Sequence, residues 1–217
     1  MVVDIHTHSS APADYPAIRN LTFKEAARVF ASNEDGHFSV GFHPWHADEF
    51  STALLNELTA WAADPRFIAI GECGLDKNCK IPLEIQLPVF KAQIALSLGI
   101  GKPLIIHCVG CFNELFELKK KTNSGQLWII HAFRGKPQLA TQALNSGCAL
   151  SFGEHFNPET VRLTPIDRLF VETDESTKPI TEIYRSISLI KECLPDALDA
   201  GENFIKQLKL TSLYTPM

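Results

Sequence analysis

The sequence predicts an α/β fold, a closed (β/α) barrel abbreviated near its first βα unit, and two observations carry that expectation. Short β-branched and apolar runs alternate with stretches whose apolar residues recur at helical spacing, the pattern of a parallel sheet covered by helices. At the ends of separate apolar runs stand His6, His8, Glu72, His107, His131 and Asp174. In a barrel the strand ends converge on one mouth, so residues far apart in sequence meet there.

The elements follow in order. Residues 2–6 form the first run, and a loop over 9–15 follows where a full unit would need room for a helix. The short run 17–21 is the weakest strand, and six stronger ones lie at 38–42, 67–71, 104–107, 127–131, 148–152 and 169–173. Between them Ala53, Leu54, Leu58 and Trp61, then Leu87, Phe90, Ile94 and Leu98, and later Ile183, Ile187, Ile190 and Leu194 repeat at helical spacing. Gly99, Gly101 and Pro103 separate a helix from the next strand, and Gly147 does so before Cys148. No repeat, low-complexity tract or linker interrupts the pattern, so residues 1–217 are expected to form one domain. An open doubly wound sheet is the alternative, but it would leave the first and last strands apart, whereas the polar set needs them adjacent.

Hydrophobic residues make up 45% and charged residues 21%, the balance of a globular protein with a substantial core. A formal net charge of -5 excludes a global attraction to nucleic acid or to anionic membrane, although a local cationic site is compatible with it. No apolar run approaches the roughly 20 residues that span a bilayer, and Met1 leads into a mixed strand containing Asp4 instead of a signal core. These features predict a cytoplasmic protein with no membrane association and no obligate protein partner. In that setting the six cysteines are expected to be free thiols.

His6 and His8 are two apart at a strand end, so the period of two sends both imidazoles to one face, the interior of a barrel. Alone, such a pair is as readily a turn or a hydrogen-bonded couple as a binding site. Glu72 follows Phe-Ile-Ala-Ile-Gly, His107 follows Leu-Ile-Ile, His131 follows Trp-Ile-Ile and Asp174 follows Leu-Phe-Val-Glu-Thr. Burying one such group without a partner costs several kcal/mol, so the set demands either hydrogen bonds or shared cations. Four imidazoles and two carboxylates carry about -2, short of neutralising two divalent ions, and the surplus favours hydroxide and an anionic substrate. Mixed nitrogen and oxygen donors suit Zn, Mn, Fe, Co or Ni, with weakly held Mg as the alternative.

Other residues carry two readings each. Cys108 and Cys111 form a Cys-x-x-Cys between strand and helix, the place of a redox dithiol, but Cys73 and Cys108 point away from the mouth if their strands continue, which makes packing their expected role. His43, in Gly-Phe-His-Pro-Trp-His, ends a strand and is a candidate substrate contact or proton relay, whereas His46 reads as loop or helix cap. Glu172 shares strand parity with Asp174, the place of a carboxylate that orients a histidine. Arg134 and Lys77, just past His131 and Glu72, are positioned to meet a phosphate or are solvated loop cations.

Taken together, Asp-Ile-His-Thr-His at 4–8, Gly-Phe-His-Pro-Trp at 41–45, Gly-Glu-Cys-Gly-Leu-Asp at 71–76, Ile-His at 106–107, His-Ala-Phe-Arg-Gly at 131–135 and Glu-Thr-Asp at 172–174 resemble the TatD-like metal-dependent hydrolases. The resemblance covers nearly the whole chain and implies a TIM-like barrel with a divalent metal pair, and hydrolase activity that in some members is that of a DNA exonuclease or endonuclease. It implies His6, His8 and Asp174 on one metal, His107 and His131 on the other, and Glu72 between them. Glu72 and Asp174 are then the catalytic carboxylates, with Asp174 able to take a proton from the attacking water. The chain departs from the family at Val109, where an Arg is frequent, and at Ser176 and Thr177, which intervene before Pro179. The resulting expectation is hydrolysis of a phosphoester, DNA among the candidates, by a metal-activated water. A small amide or ester on the same centre, and a non-catalytic metal-binding protein, are the alternatives.

Overall fold

Eight of the apolar runs become eight parallel strands, each hydrogen-bonded to its neighbour in sequence order. They are β1 (Asp4–Thr7), β2 (Ala17–Leu21), β3 (His37–Val40), β4 (Phe67–Asp76), β5 (Leu104–Val109), β6 (Trp128–Ile130), β7 (Ala149–Phe152) and β8 (Leu169–Val171). The computed structural model describes residues 1–10, 14–123 and 125–212, with side chains as far as Lys206. β1 and β8 meet at the C-terminal end of the sheet, where Asp174 N donates to His6 O at 2.9 Å and His8 N to Asp174 O at 3.1 Å. Asp4 fastens the same seam by accepting from Thr173 N and Thr173 Oγ1 at 3.0 and 2.6 Å.

Strand parity sorts the side chains into two cores. Val3, Ile5, Ile18, Ile68, Ala69, Ile105, Ile129, Ala149 and Phe170 pack together, a contact set drawn from seven strands that only the inside of a closed sheet provides. Their sequence neighbours Ile70, Leu104, Ile106, Trp128, Ile130, Leu150, Leu169 and Val171 belong to a second cluster, against the helices. Counting two onward from inward-facing Ile105, Ile129 and Phe170 gives His107, His131 and Glu172, with Asp174 two further. The apolar pattern that fills the barrel therefore also aims the polar residues at its mouth.

The outer layer comprises α1 (Phe23–Phe30), α2 (Thr52–Trp61), α3 (Leu83–Ile100), α4 (Phe112–Thr122), α5 (Pro137–Asn145), α6 (Pro158–Leu163) and α7 (Ile180–Lys191), while α8 (Ala200–Ser212) packs differently. The first unit is abbreviated as expected, since β1 pairs directly with β2 and no helix lies between them among the described residues. Residues 11–13 of the predicted loop lie outside the described residues. α1 starts at a capping box in which Thr22 Oγ1 accepts from Glu25 N while the Glu25 carboxylate accepts from Thr22 N. α8 closes the other end of the barrel, with Ala200, Phe204 and Ile205 packed on the inner core.

Two differences from the sequence pattern have physical causes. Glu72 does not end its strand, because β4 continues to Asp76 alongside β5, with a register shift between Ile70 and Cys73. Gly74 permits this continuation: at φ +137° it lies so close to β5 that a Cβ there would meet His107 O at 2.0 Å. The second concerns α3, whose 18 residues with mean hydropathy 1.2 have the length and composition of a membrane-crossing helix. Its buried positions include Gln86, Gln93 and Ser97 as well as Val89, Phe90 and Ile94.

Candidate metal centre

Glu72 stands in the middle of the mouth, and its two carboxylate oxygens face different partners. Oε2 lies 3.5 Å from His6 Nε2 and 3.6 Å from His8 Nε2, and both imidazole nitrogens also approach Asp174 Oδ1, at 3.7 and 3.6 Å. Oε1 lies 3.2 Å from His43 Nε2, 3.0 Å from His107 Nδ1 and 2.7 Å from His131 Nε2. The first cluster is too widely spaced for hydrogen bonds. Its edges are close to the roughly 3 to 3.5 Å that separates neighbouring donors around a cation with bonds near 2.1 Å.

The donors suit a cation on two further counts. His6 is fully buried, yet neither ring nitrogen has a hydrogen-bond partner, an expensive arrangement for an imidazole that binds nothing. The local field also favours positive charge. Burial would push the Glu72 carboxyl upward, but His131, His107 and His43 overrule it and hold it well below the usual carboxylate range. Burial likewise opposes charge on His131, but Glu72 and Glu172 raise it well above the usual imidazole range. His8 is raised chiefly by its contact with Glu72. Asp174 moves the other way, its carboxyl raised by burial.

A second layer holds these groups. Glu172, fully buried, places Oε1 at 3.4 Å from His131 Nδ1 and accepts from Ala132 N at 2.6 Å, which matches its expected place behind a histidine. Asp76 does the same for His107: its Oδ2 lies 3.1 Å from His107 Nε2 and accepts from Trp45 Nε1 at 2.7 Å. Sequence reasoning gave Asp76 no role, although it lies four residues past Glu72 and so on the same strand face once β4 is seen to continue. From α3, Gln93 pairs with Phe42 N and O at 2.7 and 3.1 Å, and Gln86 pairs with Asp76 N and O at 2.8 Å each. These bonds fix the chain next to His43 and at Asp76.

The structure thus brings all six sequence-predicted ligand candidates together and adds His43, which faces Glu72 more closely than either member of the His6 and His8 pair does. Lys77 and Arg134 are exposed and stand outside the cluster. His43, not His46, caps the short 3-10 helix Pro44–Glu49, its Nδ1 accepting from Trp45 N at 3.2 Å. The Cys108 and Cys111 pair is poorly suited to redox chemistry, because burial pushes the Cys111 thiol up to about 11 and that of Cys108 higher still, and a protonated thiol is a poor nucleophile.

Comparison with known proteins agrees with this geometry. A model of the family described as TatD related DNase matches residues 3–192. An uncharacterized metal-dependent hydrolase of Buchnera aphidicola is 29% identical over 215 residues, which cover 88% of this chain and 80% of that protein. The uncharacterized metal-dependent hydrolase YabD of Bacillus subtilis is 32% identical over 70% of this chain and 64% of its own length. The 3'-5' ssDNA/RNA exonuclease TatD of Erwinia amylovora is 33% identical over 63% of this chain, which spans only 56% of that enzyme. The fold is shared with the crystal structure of YJJV, a TatD homologue from Escherichia coli, at a TM-score of 0.81 and 20% identity over 95% of this chain and 97% of that one.

Proposed function

The chain belongs to the TatD related DNase family of metal-dependent hydrolases, and from that premise we propose that it cleaves phosphodiester bonds in a nucleic acid strand with a pair of divalent ions. The observation that carries the proposal is the division of the Glu72 carboxylate, with Oε2 toward His6 and His8, whose imidazoles also approach Asp174, and Oε1 toward His43, His107 and His131. His6, His8, Asp174 and Glu72 would hold one ion, and His107, His131 and Glu72 the other, with His43 as a further donor. Zn, Mn, Fe, Co, Ni and Mg are all compatible with these donors. Bound there, such ions lower the pKa of water and offset the charge on a phosphoryl oxygen.

The protein's own groups supply the rest. Asp174 is the more open carboxylate, its side chain 26% exposed against 8% for Glu72, which supports a role in taking the proton of the attacking water. Asp76 keeps His107 from turning, and Glu172 faces His131 Nδ1 with a buried negative charge. A cleft of about 810 Å³ opens beside His8 and Asp174, lined by Tyr15, Arg19 and Lys178 together with Glu34, Asp35 and Glu175. Lys77 and Arg134 are cations at the rim for flanking phosphates. The substrate class is supported by the name of the Erwinia amylovora relative, a 3'-5' ssDNA/RNA exonuclease. A cytoplasmic location accords with six free thiols.

The test is a panel of single-stranded DNA, single-stranded RNA, a phosphomonoester and small amides and esters, each offered to metal-stripped protein before and after Mn²⁺ or Zn²⁺ is added. Strand cleavage that requires the metal and disappears in Glu72→Gln with an unchanged circular dichroism spectrum is the expected result. Turnover of an amide or ester with no cleavage of either strand would overturn it.

A further inference from the structure

We propose that Trp45 is the platform on which one base of the substrate stacks, so that the centre selects a phosphodiester flanked by a nucleobase over a bare one; this rests on the nucleic acid substrate proposed above. Several large hydrophobic side chains are exposed among the described residues, and Trp45, at 57%, is the one with ring contacts to two histidines of the centre. A singly exposed apolar side chain needs no occupant by itself, so it is the place of the Trp45 indole against His43 and His107 that points to one. Trp128, by contrast, is completely buried.

Trp45 is also held in place. Its backbone N donates to His43 Nδ1 at 3.2 Å and its indole N–H to Asp76 Oδ2 at 2.7 Å, the oxygen that faces His107 Nε2. Its ring stands edge-to-face with His43, centroids 4.9 Å apart at 88°, and 6.1 Å from that of His107 at 73°. A phosphate beside His43 and His107 therefore has an ordered aromatic surface within the reach of one sugar. A rigid, exposed indole loses little conformational freedom when a base stacks on it, and such stacking tolerates any base because each has a π face.

The experiment compares a thymidine trinucleotide with a trimer of abasic tetrahydrofuran units that carries the same phosphates, using metal-loaded protein. Trp45→Ala should raise KM for the thymidine chain about 5- to 160-fold more than it raises KM for the abasic chain, the contribution of one stacked base. Trp45→Phe, which keeps an aromatic face without the indole N–H, should recover most of the loss. Equal effects of Trp45→Ala on both chains would reduce the residue to a support for Asp76 and overturn the proposal, as would an unchanged KM. A cleavage-resistant phosphorothioate thymidine trimer gives a second readout. It should quench the emission that distinguishes wild type from Trp45→Phe, whereas an abasic phosphorothioate should not. If wild type cleaves neither chain, the assigned reaction fails by itself, and the quenching comparison still decides the role of Trp45.

Discussion

His107 is gripped from both sides, with Nδ1 at 3.0 Å from Glu72 and Nε2 at 3.1 Å from Asp76. A carboxylate behind a metal-binding histidine fixes the tautomer and raises the basicity of the ring. Asp76→Asn is therefore expected to weaken metal binding by about 10- to 100-fold with little change in the unfolding midpoint. Isothermal titration of the variant beside wild type checks this, and equal affinities would contradict the role. The sequence showed the ligand candidates because they stand at the ends of apolar runs, and His107 and His131 lie two beyond the inward-facing Ile105 and Ile129. Asp76 escaped notice because its strand seemed to stop at Gly71, and only the fit of Gly74 against β5 reveals that it continues. Strand parity did place Glu172 behind a histidine. His43 was read as a substrate contact or proton relay, since nothing in a sequence gives its distance from Glu72.

Among the elements, α3 does the most to position the mouth. Its periodicity marked Leu87, Phe90, Ile94 and Leu98 as the packed face, yet Leu98 is 42% exposed while Gln86 and Gln93 are buried. Glutamine is ordinarily a surface residue, so its burial was not legible without its backbone partners. Gln93 satisfies both polar groups of Phe42, one residue before His43. Gln93→Leu should leave that buried N–H and C=O unpaired and cost about 2 to 4 kcal/mol. It should also loosen His43. Urea unfolding measures the first effect, and an unchanged midpoint would show that the pair contributes nothing.

At the scale of the whole molecule, the barrel separates stability from chemistry. The alternation of strand and helix patterns, the abbreviated first unit and the closure of β1 on β8 were all legible, because they follow from apolar periodicity and from the need to bring the polar set together. The seal at the opposite end was not, since α8 shows its role only through the packing of Phe204 and Ile205 on the inner core. Phe204→Ala should cost about 3 to 5 kcal/mol through the cavity it leaves. Metal affinity should stay the same, because the residue lies at the far end of the barrel, and a large loss of affinity in a still-folded variant would contradict this division. The central claim is that one carboxylate serves two ions, and native mass spectrometry of metal-stripped protein titrated with Zn²⁺ or Mn²⁺ tests it most directly. Wild type should take up two ions, and Glu72→Gln should weaken both together; uptake of a single ion by wild type, or loss of only one in the variant, would contradict it.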